Sequence, residues 1–130
     1  MHHHIALITY LVRDYDEAIH WFQNALGFNL FEDTDLGVGK RWVVMGPDAD
    51  LGARFLLAKS ASPEQSKHIG KAAGGRVAFI LYTDNFAQDE ATMRKDGIQF
   101  LEQPRLEAYG TVAVFEDLYG NRWDLLQPKT

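Results

Sequence analysis

Arg54 and Arg122 occupy the same place in two matching stretches of the chain. Gly52-Ala53-Arg54-Phe55-Leu56-Leu57 lies over Gly120-Asn121-Arg122-Trp123-Asp124-Leu125 at a spacing of 68 (122 − 54). A pair of guanidiniums can clamp a carboxylate or phosphate, because the planar fork donates two parallel hydrogen bonds. The plainer alternative sets each arginine at a rim, paired with a surface acid. Asp124, two residues after Arg122, can take a proton or bind a cationic group, or else form a salt bridge with Arg122 or Arg54. Trp42 and Tyr109 offer flat faces for stacking on a ligand. Trp42 serves equally well as core packing, whereas Tyr109 precedes Gly110 beside a loop, a rim position.

What the chain lacks narrows the chemistry further. None of its 130 residues is cysteine, which excludes disulfides and thiolate nucleophiles. There is no glycine-rich phosphate loop and no hydroxyl with a neighbouring base. A formal net charge of −5 argues against a nucleic-acid partner, whose footprint is normally basic. The longest apolar run, 5–12, is too short to span a bilayer and lacks the flanks of a signal peptide. No membrane partner and a cytoplasmic location are therefore expected. The His2-His3-His4 run is read as a solvated tail or the remnant of a tag, although histidine tracts can also bind metals.

The elements that must position these residues come in two copies. Sliding the chain along itself by 70 places puts Asp14 on Asp84 and Gly27 on Gly97 without a gap. In each copy an apolar run ends at the aspartate, a helix-length segment follows, then the glycine, then a second apolar run. Such internal repeats decide the fold. In the first copy, 5–12 reads as a strand covered on both faces. Asp14 is an N-cap with Glu17 at the capping-box spacing. Ala18, Ile19, Phe22, Ala25 and Leu26 form one apolar helical face, and Gly27 stops the helix. Strands are expected at 28–32, 41–45 and 52–58, with a polar loop or lid over 33–40 and a turn over 46–50. In the second copy the strands are 76–83, 98–102, 110–116 and 122–126, the helix is 85–96 capped by Asp84, and 103–109 is a loop. Trp21, Phe22 and Trp123 read as helix–sheet core.

Each copy is a βαβββ unit whose single helix covers one face of its sheet. The expected class is α+β: two tandem βαβββ units forming a U-shaped mixed sheet, with helices outside and a concave cleft inside. One domain spans 1–130, with unit one at 5–58, a linker at 59–75 that contains a short helix, and unit two at 76–127. Clefts of this kind are favoured ligand sites.

The segments Val12-Arg13-Asp14-Tyr15-Asp16-Glu17-Ala18 to Leu26-Gly27-Phe28 and Val114-Phe115-Glu116-Asp117-Leu118-Tyr119-Gly120-Asn121-Arg122-Trp123-Asp124-Leu125 resemble the vicinal oxygen chelate superfamily. That group contains glyoxalase I, extradiol dioxygenases, fosfomycin-resistance enzymes and bleomycin-resistance proteins. The resemblance covers nearly the whole chain, is specific for the fold and says little of the chemistry. In metal-using members four ligands line the cleft, on the first and fourth strands of each unit. Those positions fall here on Leu7, Leu56, Val77 and Asp124. A divalent cation needs imidazole, carboxylate or thiolate, and three of the four offer none.

If Leu7 and Asp124 point into the cleft, strand alternation brings Thr9, Arg54, Phe79 and Arg122 with them, and Trp42 follows on the third strand. The expected ligand-binding set is Thr9, Trp42, Arg54, Phe79, Tyr109, Arg122 and Asp124. The principal reading is a binder of a small, partly apolar organic molecule with no cofactor. The alternative is a lyase, isomerase or dioxygenase using a divalent metal at displaced ligands, the N-terminal histidines with Asp124. A third reading is an interaction protein whose cleft is filled by its own side chains. The resemblance also implies a homodimer, since open sheet edges invite pairing.

Overall fold

The computed structural model describes residues 1–47 and 49–130; Asp48, in the turn expected over 46–50, lies outside the described residues. The chain divides into two compact units, Met1–Ile69 and Gly70–Thr130, so the expected linker is shared between them. The class is α+β, with two tandem units that each carry a four-stranded mixed sheet.

Unit one contains β1 (Leu7–Val12), α1 (Tyr15–Leu26), β2 (Asn29–Gly37), β3 (Lys40–Gly46), β4 (Arg54–Lys59) and the short α2 (Pro63–Ser66). Asp14 caps α1 as its spacing predicts, its carboxylate accepting the Glu17 N–H at 2.8 Å. Gly27 ends the helix at φ 65°, a left-handed conformation that costs glycine least. The Phe28 N–H then returns to the Phe22 carbonyl at 3.0 Å. The apolar stripe of α1 is buried through Ala18, Ile19 and Phe22. Phe22 is fully buried, its ring 5.2 Å from Tyr10 of β1 and 5.9 Å from Phe55 of β4.

The sheet order is β1-β4-β3-β2, with β1 parallel to β4 and the other pairs antiparallel. Residues 33–40 are not the loop or lid expected of them. β2 runs on to Gly37 and pairs with β3 as far as Gly37 opposite Lys40. Arg41 locks this arm down: its guanidinium reaches Asp33 at 2.7 and 3.1 Å and Asp16 of α1 at 2.9 Å. A polar composition resembles that of irregular backbone here because cross-strand ion pairs also need polar residues.

Unit two repeats the plan with β5 (Val77–Tyr82), α3 (Phe86–Lys95), β6 (Arg105–Glu107), β7 (Gly110–Glu116) and β8 (Arg122–Pro128), in the order β5-β8-β7-β6. The repeat is in register: Leu7 sits beside Arg54 in unit one, and Val77 beside Arg122 in unit two. Two expectations fail here. The cap of α3 is Asn85, whose side chain accepts the Gln88 N–H at 3.3 Å, one residue beyond Asp84. The strand expected over 98–102 is a single bridge from Phe100 to Phe115, and the third strand pair forms later, at β6, where a loop was expected. Trp123, Phe115, Phe86 and Met93 are buried between helix and sheet.

Candidate functional site

In unit one, alternation along β1 and β4 turns Tyr10, Val12, Phe55 and Leu57 toward α1, where all four are buried. Leu7, Thr9, Arg54 and Leu56 therefore share the opposite sheet face. At the β1 end of that face lies a groove of about 880 Å³, whose walls include Leu7, Val44, Leu51, Arg54, Glu32 and Asp50. His4, read as part of a solvated tail, is also a wall residue. Val44 and Leu56 stand opposite one another in the β3–β4 ladder.

Arg54 is half-buried in this wall. Its guanidinium carbon sits 3.4 Å from the centroid of the Phe31 ring. Among the described residues no surface acid pairs with it: the contact is aromatic, a cation–π stack. Trp42, 37% exposed, donates its indole N–H to Glu32 at 3.3 Å, so it belongs to the surface and not to the core. Thr9 is exposed beside Leu56. Neither Thr9 nor Trp42 is a wall residue of the groove.

In unit two, Asp124 lies in β8 between Ile80 of β5 and Val114 of β7. Its Oδ1 is sealed from solvent and has no hydrogen-bond partner among the described residues, although the side chain as a whole is only half-buried. Burial pushes the carboxyl pKa up, while the nearby Arg105 charge works against that and Glu102 adds to it. Among the described residues Arg122 does not supply the salt bridge expected for the sealed Asp124 Oδ1.

Arg105 is the cation this face uses, and its own partners are acids. Its Nε donates to both oxygens of Glu102 at 3.0 Å, and Nη1 donates to Glu107 at 3.2 Å. Hydrogen bonds to Glu102 and then Tyr109 raise its pKa above the ordinary arginine value. Glu102 also accepts the Val114 N–H at 3.0 Å. Glu102, Arg105 and Glu107 carry chemistry that the sequence reading passed over, because 103–109 read as loop. The signal was there: Arg105 and Glu107 alternate on one face of a short strand.

Phe79 does not share the face of Asp124. The β5–β8 ladder shifts between Val77 and Phe79, so that Phe79 pairs with Trp123 and Ile80 with Asp124. One extra residue in β5 reverses the side to which everything after it points. Phe79 packs 4.9 Å from the Trp123 ring, and Ile80 and Tyr82 take the opposite face at 59% and 70% exposure. Arg122 is exposed at the start of β8, opposite Glu116. Tyr109 is 52% exposed at the turn before β7.

A resident metal does not fit the donor set. Leu7, Leu56 and Val77 present no lone pair to a cation, and Asp124 alone offers one carboxylate. Among the described residues no group of three His, Cys, Asp or Glu side chains could hold a metal ion.

The Asp124 carboxyl leads to a test by substitution. Its folded-state pKa lies above the ordinary value of 3.8, so the native state binds this proton more tightly than the unfolded chain. Stability is then lost as pH rises from 3.8 through the folded value. Asp124→Asn removes the ionisation. The variant is expected to melt above the parent at pH 7, with the gap closing below pH 4; thermal denaturation across that range reads it. A variant that melts lower at pH 7 would contradict the assignment.

Comparison with known proteins gives the following. The family model described as Glyoxalase/Bleomycin resistance protein/Dioxygenase superfamily matches residues 3–125. An uncharacterized protein of Shewanella frigidimarina (strain NCIMB 400) is 54% identical over 125 residues, covering 95% of this chain and 90% of its own. Among solved structures, UcmS2 superposes with a TM-score of 0.82 at 26% identity, over 97% of this chain and 98% of its own. TnmS3, an antibiotic binding protein from Streptomyces sp. CB03234, gives 0.76 at 25% identity, over 98% and 97%.

Proposed function

The chain belongs to the Glyoxalase/Bleomycin resistance protein/Dioxygenase superfamily, and from that premise we propose that it binds a small, partly apolar organic molecule without the metal centre of metal-using members. The observation that carries this reading is Leu7. At a position where such members place a metal ligand, this chain has an aliphatic side chain, and that side chain is a wall of the groove in unit one. A wall of Leu7, Val44 and Leu51 with Arg54, Glu32 and Asp50 has the composition of a small-molecule site: apolar area for affinity and a few polar groups for orientation. The likeness to TnmS3, an antibiotic binding protein, supports the same reading.

The test is thermal shift with polycyclic aromatic compounds, with and without chelator, on protein whose metal content has been measured. A ligand at a hundredfold excess over its Kd is expected to add about 2.7 kcal/mol to stability, undiminished by chelator. Stoichiometric zinc, nickel, manganese or iron, or binding abolished by chelator, would sink the proposal. The reading includes a homodimer, because β1 and β5 stand at the ends of their sheets and edge strands invite pairing. Light scattering on a sizing column is expected to give twice the monomer mass. No helix among the described residues is long and apolar enough to cross a membrane.

A further inference from the structure

We infer that the groove of unit one selects ligands carrying a carboxylate, which Arg54 receives. The inference rests on the small-molecule reading of that groove and adds the chemical class of the ligand.

Three features of Arg54 point to it. The first is its position in the sheet. Arg54 sits beside Leu7 in the β1–β4 ladder, and Met45 opposite Phe55 puts Gly46 on its other side. A methyl group on Gly46 would lie 3.2 Å from Arg54 Cγ and 3.5 Å from its Cβ. The missing side chain is the space that the arginine stem fills, and the stem is held between two strands. The second is the Phe31 stack, whose 3.4 Å separation is the contact distance of a flat guanidinium on a ring. Stem and head are both positioned, so little side-chain freedom remains to be lost on binding.

The third feature is what the head does not touch. Among the described residues no carboxylate pairs with Arg54. Glu32 and Asp50 belong to the same groove, yet Glu32 accepts from the Trp42 indole at 3.3 Å and neither forms an ion pair with the guanidinium. This contrasts with Arg41, clasped by Asp33 and Asp16, and with Arg105, clasped by Glu102 and Glu107. A half-buried cation costs free energy unless an acceptor meets it. The stack occupies the face of the guanidinium and leaves its edge, where the N–H donors lie, for a planar acceptor. A carboxylate matches that edge with two parallel hydrogen bonds. Leu7, Val44 and Leu51 supply an apolar wall for the rest of the molecule.

The experiment compares three probes that share one ring system: 2-naphthoate, 2-naphthamide and 2-naphthylmethylamine. Each is titrated into the full chain, with chemical shifts of the leucine and valine methyl groups as the readout. The carboxylate is expected to bind at least tenfold more tightly than the amide, and to shift Leu7, Val44 and Leu51. Arg54→Gln is expected to weaken the carboxylate by about tenfold to a hundredfold, the range of one charge-assisted hydrogen bond, and to leave the amide unchanged. Phe31→Leu keeps the charge but removes the stack, and is expected to weaken the carboxylate about threefold to tenfold. It also keeps the test open should Arg54→Gln fail to fold. Equal binding of carboxylate and amide, or preference for the amine, overturns the carboxylate inference while leaving the small-molecule reading intact. Binding of none of the three at the groove overturns both.

Discussion

Replacing Asp117 with alanine is expected to destabilise unit two by about 3–5 kcal/mol, since several buried donors would lose their acceptor at about 1–3 kcal/mol each before any rehydration. Asp117 is 6% exposed and sits in the turn between β7 and β8. Its carboxylate accepts the backbone N–H groups of Tyr119 at 2.9 Å and Asn121 at 3.0 Å. It also accepts the Asn121 side-chain amide at 3.1 Å and the Trp123 indole N–H at 3.0 Å. Asn121, itself 4% exposed, passes the connection on by accepting the Ala72 N–H at 3.0 Å.

The turn is also packed from the side. A Cβ on Gly70 would lie 2.0 Å from the Tyr119 carbonyl oxygen, an overlap no side chain survives, so only glycine lets the start of unit two pass this close. Asp117→Asn preserves the shape but turns one acceptor oxygen into a donor facing donors, and is expected to cost about half as much. Urea denaturation followed by Trp123 fluorescence, with hydrogen exchange to locate the loss, measures both. A loss under 1 kcal/mol for the alanine variant would mean that water replaces the carboxylate and that the network is not what holds the turn.

The second large effect is expected in unit one. Phe22→Ala should cost about 3–5 kcal/mol, the transfer and cavity terms of a fully buried aromatic. Phe22 is 0% exposed and touches rings on every side. Trp21 and Tyr10 meet it edge-on at 5.2 Å, Phe28 stacks at 5.3 Å and Phe55 is tilted at 5.9 Å. These contacts join α1 to β1 and β4, so the loss should appear as faster exchange of β1 and β4 amides. Phe22→Leu keeps most of the volume and is expected to cost about 1–2 kcal/mol. If both variants lose the same amount, the rings around Phe22 have closed over the cavity.

How far the fold was legible in the sequence follows from which signals are local. Asp14, Glu17, the apolar stripe of α1 and Gly27 are short-range chemistry, and each does what its spacing predicts. The offset between copies holds at the first and last strands, where Leu7 beside Arg54 matches Val77 beside Arg122, but slips by one residue at the helix cap, which is Asn85 and not Asp84. Features that depend on pairing between strands were read less well. The β2–β3 arm looks like a loop because its acids and arginine serve one another across the ladder. The placement of Phe79 relied on unbroken alternation, which one irregularity in β5 defeats. Nothing in a single strand's composition announces a bulge.

The candidate site divides in the same way. Arg54 and its partner Arg122 could be found from the repeat, and Leu7, Leu56, Val77 and Asp124 from the family resemblance. Phe31 beneath Arg54 could not, because it follows from a register shift after Leu30 in the β2–β3 ladder. The Glu102–Arg105–Glu107 cluster was missed for a similar reason, since the strand carrying it has three residues and little pattern to read.

The register of each sheet has a consequence for how the chain assembles. In both units the first strand takes its place against the last: Leu7 beside Arg54, 47 residues apart (54 − 7), and Val77 beside Arg122, 45 apart (122 − 77). Bringing such distant segments together costs chain entropy that no local contact repays, and topologies of this kind fold slowly. During synthesis β1 has no strand to join until β4 has left the ribosome, and β5 waits in the same way for β8. Each unit closes like a clasp whose two halves are its own ends. Shortening the chain before β8 would therefore strand β5 as well, and unit two would lose two strands to a cut that removes one.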